Sequence, residues 1–367
     1  MNKEEPMTSL VQGVHHITLC PGGAQQDIDF FTQILGQRLV KQTVLMDGNI
    51  PIYHFYYGNA DADVGSIATC FPYSRKPGRA GSGQLSCTSY TVPNGAIAFW
   101  KEHFDRHRAE HSGVQERFGT KYLRVRHPVG LLFEMIEESG DNRNPWTTTQ
   151  IPRDAGTRGF FGAVLSVRDV RDQEAFFVDA LGFRKVGVDG PYHRFEVPGT
   201  GPGRIVDLHV EPERAPGSWG FGSGTAHHIA FNVETDDALV KQKAVYEELG
   251  FTDASEIKDR FYFHSMYVRS PGGILVECTA NVPGGFFKDE APDELGTKLL
   301  LPPWFEDQRN AIVSQLEPVT VPEANRPRPG TTSAPRPVVA AHTTPGNAPT
   351  VPVSRYKATF DADKQTT

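Results

Sequence analysis

The sequence predicts an α+β fold made of four copies of one unit, in which a strand and an amphipathic helix precede several further strands. Three observations predict it. The same order of elements recurs four times, a glycine follows the predicted helix in three of the copies, and the spacing from first strand to glycine is nearly constant. This spacing runs from His16 to Gly36, from Phe161 to Gly182 and from His228 to Gly250. Spacing this regular indicates internal repeats of one module.

The first module begins with a predicted strand at residues 15–19 and a helix over residues 25–35. Ile28, Phe31 and Leu35 recur in this helix at the spacing of one buried helical face. The strands predicted to follow are 38–45, 53–57 and 66–71. The second module is predicted as a strand at 85–92, a helix around 96–107, and strands near 122–126 and 131–136.

The third module opens with a predicted strand at residues 160–167, followed by a helix at 173–181 and strands at 192–197 and 205–210. The fourth is predicted as a strand at 227–233, a helix at 237–249, and strands at 262–268 and 274–279. Gly182 and Gly250 directly follow the last helical residues, where a left-handed cap is expected. The four segments therefore share one design.

Changes of composition divide the chain into five parts. Residues 141–157 are rich in Asn, Asp, Pro and Thr, which is typical of a linker. The end of the chain is dominated by Pro, Thr, Ala and Ser without hydrophobic periodicity. The predicted parts are an N-terminal extension (1–9), modules one and two (10–140), the linker (141–157), modules three and four with a C-terminal packing segment (158–320), and a Pro-rich tail (321–367).

Overall composition excludes several classes of protein. A hydrophobic content of 38% and a charged content of 22% are typical of a soluble globular chain. The formal net charge of −7 argues against a nucleic-acid partner. The start of the chain is polar and acidic, and no run of eighteen apolar residues occurs, so neither a signal peptide nor a membrane span is expected. We expect a cytoplasmic protein.

Paired histidines open two of the modules, in residues 13–18 (GVHHIT) and 224–232 (GTAHHIAFN), and a strand near residues 269–278 (RSPGGILVEC) carries Glu277. Because side chains alternate along a strand, the second histidine of each pair, His16 or His228, is predicted to face a concave side, with the first on the opposite face. Two imidazoles and one carboxylate that leave positions open suit ferrous iron and dioxygen, although zinc and manganese accept them too. We predict one metal held by these three residues, with His15 and His227 orienting the site.

Glu134 ends a matching segment, residues 127–134 (HPVGLLFE), in the second module. The opening strand of that module has no histidine, and the third module has Phe160 and Phe161 in place of a histidine pair. A metal at Glu134 would lack nitrogen ligands. We therefore predict a single metal per chain, with no metal at Glu134.

These residues resemble the vicinal oxygen chelate superfamily, which is built from paired βαβββ modules. More narrowly, they resemble its ring-cleaving hydroquinone 1,2-dioxygenases, of the 2,6-dichlorohydroquinone and chlorohydroquinone type. The likeness covers residues 10–320. It is most specific in 14–18 (VHHIT), 53–58 (YHFYYG), 225–231 (TAHHIAF), 251–260 (FTDASEIKDR) and 265–273 (SMYVRSPGG).

The resemblance implies two open barrel-like domains of the glyoxalase type, with modules one and four paired and modules two and three paired. It also implies Fe(II) as the cofactor, with Mn(II) as an alternative, and a small aromatic diol and dioxygen as substrates. The implied site residues are His16, His228 and Glu277 as metal ligands, His227, Tyr267 and Arg260 as catalytic groups, and His15 and Thr18 as contacts of the ligands or substrate.

Three other functions remain open at this point. A catechol-cleaving extradiol dioxygenase would use the same iron, but such enzymes take their first histidine from the third module, where this chain has Phe160 and Phe161. A glyoxalase- or epimerase-like metalloenzyme would need no oxygen. A binding module would need no complete set of metal ligands. A homo-oligomer is compatible with the sequence.

Overall fold

The computed structural model describes residues 9–46, 50–74, 76–199 and 201–323. Most of the predicted N-terminal extension and all but the first three residues of the predicted tail lie outside these ranges. The boundaries assigned to the five parts of the chain stay a prediction.

Each of the four modules consists of a strand, a helix and three further strands. Module one contains β1 (Val11–Cys20), α1 (Ala24–Asp29), β2 (Arg38–Val44), β3 (Tyr53–Gly58) and β4 (Ile67–Cys70). Module two contains β5 (Gln84–Val92), α2 (Ile97–His107), β6 (Gln115–Arg117), β7 (Thr120–Arg126) and β8 (Leu132–Glu137). Module three contains β9 (Gly159–Val167), α3 (Arg171–Ala175), β10 (Arg184–Asp189), β11 (Tyr192–Glu196) and β12 (Ile205–Val210). Module four contains β13 (Thr225–Val233), α4 (Asp236–Glu248), β14 (Lys258–Asp259), β15 (Phe263–Arg269) and β16 (Leu275–Asn281). A short helix, α5 (Arg309–Val313), follows.

The strands form two sheets of eight, and each sheet joins two modules. The first sheet has the order β14-β15-β16-β13-β1-β4-β3-β2, which joins modules four and one. The second has the order β10-β11-β12-β9-β5-β8-β7-β6, which joins modules three and two. The predicted α+β class and the pairing of the first module with the last are therefore confirmed.

The glycines that the sequence singled out lie just after the ends of the helices. α1 continues into a π-helical turn at Phe30–Ile34, and Leu35 N donates to Phe30 O at 3.0 Å. Gly36 then takes φ +63°, a left-handed conformation that costs glycine little. Ile28, Phe31 and Leu35 are fully buried, as the periodicity predicts. Among the residues that the model describes, no helix is long and apolar enough to cross a membrane.

The largest cluster of buried hydrophobic side chains contains residues of all four modules, including Ile17, Trp100, Leu165 and Ile229. The two sheets therefore share one continuous core. Residues 285–300, which we call the closing segment, lie against β2 at one edge of the first sheet. Leu300 N donates to Gln42 O at 3.0 Å, and the Gln42 side chain donates to Gly296 O at 2.7 Å.

Candidate metal centre

Three side chains converge from three neighbouring strands of the first sheet. In the register of the sheet, His16 of β1 pairs with Ala230 of β13, which pairs in turn with Glu277 of β16, and His228 lies two residues from Ala230. His16 Nε2 lies 3.1 Å from His228 Nε2 and 3.4 Å from Glu277 Oε2, and His228 Nε2 lies 2.8 Å from the same oxygen. All three residues are buried. Within the described ranges, they form the one group of three or more potential ligands that could hold an ion.

The spacing of these three atoms fits a bound cation. Two ligands at right angles on one ion, each with a bond of about 2.1 Å, stand about 3.0 Å apart. Glu277 Oε1 accepts from Ser265 and Thr279, both at 2.5 Å, which orients the carboxylate. Glu277 Oε2 is buried and receives no hydrogen bond of normal geometry from the described residues, although both ring nitrogens lie beside it. Convergence of an unsatisfied oxygen with two nitrogens suits a divalent metal.

The protonation states also suit a metal. Burial opposes ionisation of Glu277, but the neighbouring His16 and His228 outweigh it and hold the pKa of this carboxyl well below its usual value. Burial lowers the pKa of His228 despite the adjacent carboxylate. At neutral pH the site therefore offers an ionised carboxylate and neutral imidazole, which are the forms that bind metal.

The first histidine of each pair does not lie on the opposite face of its strand, as simple alternation predicted. In the register of the sheet, Val14 pairs with Phe231 and His16 pairs with Ala230, so His15 has no residue opposite it on β13. His227 falls in the same way between the pairs that Ala226 and His228 make. Both residues are therefore bulged. A bulge interrupts alternation and redirects the side chain, so each first histidine lies beside the second.

These bulges produce two matching hydrogen-bonded pairs. His16 Nδ1 lies 2.9 Å from His15 Nδ1, and His228 Nδ1 lies 2.7 Å from His227 Nδ1. If Nε2 of His16 and His228 faces an ion, Nδ1 of each carries the proton and donates it to the neighbouring ring. His15 then carries its own proton on Nε2, which lies 3.0 Å from Asn281 Oδ1. Asn281 is a partner that the sequence did not reveal.

A cavity of about 350 Å³ adjoins the three converging side chains. Of the predicted site residues, His16, Thr18, His227, His228, Arg260 and Tyr267 line it. Glu277 is fully buried, and His15 packs against Phe263 with ring centroids 5.5 Å apart. The other lining residues, which the sequence did not single out for the site, are Leu45, Met46, His54, Phe71, Phe221, Ser255, Lys258, Phe263 and Leu275.

The remaining predicted residues contact one another within this cavity. Thr18 Oγ1 lies 2.7 Å from His228 Nε2 and 2.6 Å from Thr69 Oγ1. Arg260 Nε donates to Tyr267 Oη at 3.2 Å, and the Tyr267 ring stands edge-on to His228 at 5.5 Å between centroids. His227 stacks on Phe221 at 4.5 Å. Burial lowers the pKa of His227 to about 3, so its imidazole is neutral at neutral pH.

The second sheet has an equivalent place that is filled by ion pairs. Its strands bulge at Ser86 and Phe161, which puts Cys87 at the position of His16 and Gly162 at the position of His228. Phe161 therefore corresponds to His227, whereas the order of the Phe160–Phe161 pair in the sequence predicts that it corresponds to His228. A Cβ atom at Gly162 would lie 2.0 Å from the carbonyl oxygen of Ile205, so no histidine fits this backbone.

Two carboxylates of the second sheet stand where Glu277 stands in the first. Glu134 pairs with Ser89, and Asp207 pairs with Val164, in the register that joins Glu277 to Ala230. The Arg117 guanidinium bridges them, with Nε 2.8 Å from Asp207 and Nη2 2.9 Å from Glu134. The Arg117 guanidinium therefore already supplies a positive charge between these two carboxylates.

Comparison with known proteins agrees with this geometry. Residues 159–278 match the family model described as Glyoxalase/Bleomycin resistance protein/Dioxygenase superfamily. The chlorohydroquinone/hydroquinone 1,2-dioxygenase of Sphingobium indicum is 37% identical over 316 residues, which are 85% of this chain and 98% of that protein. MhqO of Bacillus subtilis, named as a proposed ring-cleaving dioxygenase, is 35% identical over 86% of this chain and 99% of its own length.

Solved structures give the same result. A crystal structure of a proposed dioxygenase from Bacillus subtilis superposes with a TM-score of 0.80 at 35% identity, covering 85% of this chain and 99% of that one. Glyoxalase I from Zea mays has a TM-score of 0.55 at 14% identity, covering 73% of this chain and 92% of that one, and shows the shared fold alone.

The fold and its relatives define the class of the molecule: the chain belongs to the glyoxalase/bleomycin resistance protein/dioxygenase superfamily, also called vicinal oxygen chelate proteins. Within it the chain groups with the ring-cleaving dioxygenases, which are oxygen-incorporating enzymes with a metal cofactor.

Proposed function

We propose that this enzyme is an iron(II)-dependent hydroquinone 1,2-dioxygenase that opens halogen- or alkyl-substituted para-diols between C1 and C2. One observation carries the proposal: His16, His228 and Glu277 converge at the wall of a cavity of about 350 Å³, which is large enough for one aromatic ring. The relative named chlorohydroquinone/hydroquinone 1,2-dioxygenase, similar over nearly its whole length, supports this substrate class.

In this proposal His16, His228 and Glu277 hold ferrous iron. The bound ion would bring one diol oxygen and dioxygen together and carry electron density from the ring to oxygen, which side chains alone cannot do. Mn(II) would suit the same ligands. His15, through Nδ1, fixes the orientation of His16, and Thr18 Oγ1 stands beside His228 Nε2 to contact a bound oxygen atom.

His227 is the proposed acid–base group. Its ring lines the cavity, and Phe221 holds it by stacking. When Nδ1 accepts from His228, the proton of the neutral His227 ring is on Nε2. His227 can then donate a hydrogen bond from Nε2 to a substrate oxygen. It releases this proton as its Nδ1 takes up the proton of His228, so that the His227 ring stays neutral, and a phenol proton is accepted by the reverse path.

Tyr267 and Arg260 are the proposed hydrogen-bond donors to oxygen atoms on which negative charge develops. Donation from the Arg260 guanidinium polarises the Tyr267 hydroxyl and favours it as a donor. The ring itself would lie among apolar side chains of the cavity, including Phe71, Phe263 and Leu275, which exclude water from the reacting atoms.

The overall reaction adds one dioxygen molecule to one diol. The C1–C2 bond breaks, and both oxygen atoms enter the product. C1, which bears the hydroxyl, becomes a carboxylic acid, and C2 becomes an aldehyde when it carries hydrogen. A halogen at C2 would give an acyl halide, which water hydrolyses to a second acid.

Anaerobic reconstitution with iron(II), followed by oxygen-electrode measurements, tests the proposal. We expect oxygen uptake with hydroquinone, chlorohydroquinones and methylhydroquinone, at one dioxygen per diol, and much slower uptake with catechol. Mass spectrometry of the product formed under ¹⁸O₂ should show two labelled oxygen atoms.

Two results would contradict it. Uptake with catechol but with no para-diol would indicate a catechol-type extradiol dioxygenase. Stable metal binding without uptake for any diol would favour a glyoxalase- or epimerase-like metalloenzyme.

A further inference from the structure

His54 of β3 is a lining residue of the cavity that neither the metal centre nor the proposed donors use. Its side chain is 92% buried, since only 8% of the residue is exposed. Its Nε2 atom is buried and has no hydrogen-bond partner among the described residues. An unsatisfied ring nitrogen costs about 1–3 kcal/mol, so an atom of this kind in a ligand cavity needs a reason.

Tyr56 determines which nitrogen of His54 carries the proton. The Tyr56 hydroxyl lies 2.9 Å from His54 Nδ1, and the described part of the chain offers that hydroxyl no other hydrogen-bond partner. A buried tyrosine must donate its proton, so Tyr56 donates to Nδ1 and the His54 proton is on Nε2. Stacking on Phe71, with ring centroids 4.0 Å apart, fixes the plane of the imidazole. The unsatisfied atom is therefore a positioned donor.

The register of the sheet gives the place of His54 relative to the metal centre. Thr18 pairs with both His228 and Thr69, and Thr69 pairs with Tyr56, so these residues form one row across the sheet. His54 lies two residues beyond Tyr56, on the side away from His16, which is about 7 Å along the strand. β4 lies between β3 and β1, so His54 is also displaced from the metal centre across the sheet, and both border the same cavity.

We propose that His54 Nε2 donates a hydrogen bond to the distal hydroxyl of a para-diol whose other oxygen is at the metal centre. The proposal rests on the proposed function and deepens it. A catechol places both oxygens at the same end of the ring and leaves His54 without an acceptor. His54, held by Tyr56, thus selects para-diols over ortho-diols and over monophenols.

Equilibrium binding under anaerobic conditions, with the iron(II)-loaded enzyme, measures this bond separately from turnover. Hydroquinone and phenol both offer one oxygen to the metal, but phenol lacks the distal hydroxyl. We expect the wild type to bind hydroquinone more tightly than phenol. In His54→Leu the dissociation constant of phenol divided by that of hydroquinone should fall about tenfold, which corresponds to about 1.4 kcal/mol, while the dissociation constant for phenol itself changes less than twofold.

Three further variants separate this role from a structural one. His54→Gln retains an amide donor and should restore part of the preference. Tyr56→Phe removes the proton that fixes the tautomer, so the preference should fall while phenol binding stays unchanged. His193→Leu makes the same chemical change in β11 of the second sheet, outside the cavity, and should leave both constants unchanged.

The outcomes distinguish this inference from the proposed function. An unchanged phenol-to-hydroquinone ratio of dissociation constants in His54→Leu, which includes an equal loss of affinity for both ligands, overturns the role of His54. When the wild type still consumes oxygen with para-diols, that result leaves the proposed function intact. Absence of uptake by the wild type with every para-diol overturns both.

Discussion

Each histidine pair of the site divides two tasks between adjacent residues. The second residue, His16 or His228, directs Nε2 toward the place where the two rings and Glu277 converge. The first, His15 or His227, accepts a hydrogen bond from Nδ1 of the second. The two supporting histidines differ in their own partners, because His15 contacts Asn281 and His227 stacks on Phe221. His15 is therefore held in place by Asn281, whereas His227 faces the cavity.

Asp27 is a buried carboxyl away from the site whose ionisation should affect stability. It is fully buried in α1, and the Tyr57 hydroxyl donates to its Oδ2 at 2.9 Å. Burial raises the pKa of Asp27 to about 8, although the Tyr57 hydrogen bond opposes this. The folded protein thus keeps a proton on Asp27 at pH values where the unfolded chain, with a pKa of about 3.9, has released it.

Replacement of Asp27 by asparagine should therefore change how stability depends on pH. For a carboxyl whose pKa is raised by folding, the contribution to stability is largest below the unfolded pKa and declines as pH rises to the folded pKa. Between pH 4 and pH 8 wild-type stability should fall relative to Asp27→Asn, with a slope approaching about 1.4 kcal/mol per pH unit. Urea unfolding at several pH values measures this difference.

Asp29→Asn provides the control, since Asp29 is only partly buried and accepts from the Gln25 and Gln33 side chains. Parallel stability curves for wild type and Asp27→Asn between pH 4 and pH 8 would contradict the expected ionisation of Asp27.

The four copies of the βαβββ unit use the same register position in different ways. Position Glu277 of module four corresponds to Glu134 in module two, Asp207 in module three and Thr69 in module one. In the first sheet the carboxylate faces two histidines. In the second the two carboxylates face the Arg117 guanidinium, which helps to hold the pKa of Glu134 at about 2 although burial opposes it.

The two equivalent glutamates should therefore respond in opposite ways to the same substitution. If Glu277 holds iron(II) as proposed, Glu277→Gln should lower iron(II) retention by more than tenfold and leave the fold intact, because it removes the charged ligand. Glu134→Gln should retain iron(II) but lower the free energy of unfolding by about 3–5 kcal/mol, because it removes the buried carboxylate that pairs with Arg117 and Arg124. Metal analysis after gel filtration, together with denaturant unfolding, gives both readouts. Iron loss in Glu134→Gln with retention in Glu277→Gln would reverse the assignment.

Much of the element pattern could be predicted, and the exceptions have physical reasons. The buried helical face of Ile28, Phe31 and Leu35 and the glycines after the helices gave the correct modules. β10 was missed because it is a short edge strand whose residues, including Val186 and Val188, are mostly exposed, so no buried face marks it in the sequence. The bulges at His15 and His227 were missed because they depend on pairing between strands more than two hundred residues apart. His54 could not be assigned from the sequence, since its contacts with Tyr56 and Phe71 depend on the register of the sheet.

At the scale of the whole molecule, the closing segment ties the C-terminal part of the chain to the edge of the first sheet. Lys41 of β2 is fully buried and contacts Asp289 at 2.9 Å and Glu290 at 2.6 Å. Arg38 of the same strand donates to the carbonyl oxygens of Ala60 and Pro292. These contacts hold the closing segment in place.

Lys41→Met should therefore destabilise the whole protein. It leaves two carboxylates near each other without their cation, and we expect the free energy of unfolding to fall by about 3–5 kcal/mol. Lys298→Met is the matched control, because Lys298 pairs with Glu294 on the surface and such pairs contribute about 0–1 kcal/mol. Denaturant unfolding compares the two. Equal effects of both substitutions would show that the Lys41 cluster does not hold the segment.

The pairing of the first module with the last has a consequence for biosynthesis. His16 and His228 are separated by 212 positions, so at about 5–20 residues per second the ribosome needs about ten to forty seconds to deliver the second after the first. During that interval the edge of β1 that β13 later covers is open to other strands. The edge of β1 therefore needs protection until module four has been made. A shortened chain that ends before module four would lack His228 and Glu277 and would leave this edge exposed, which favours aggregation.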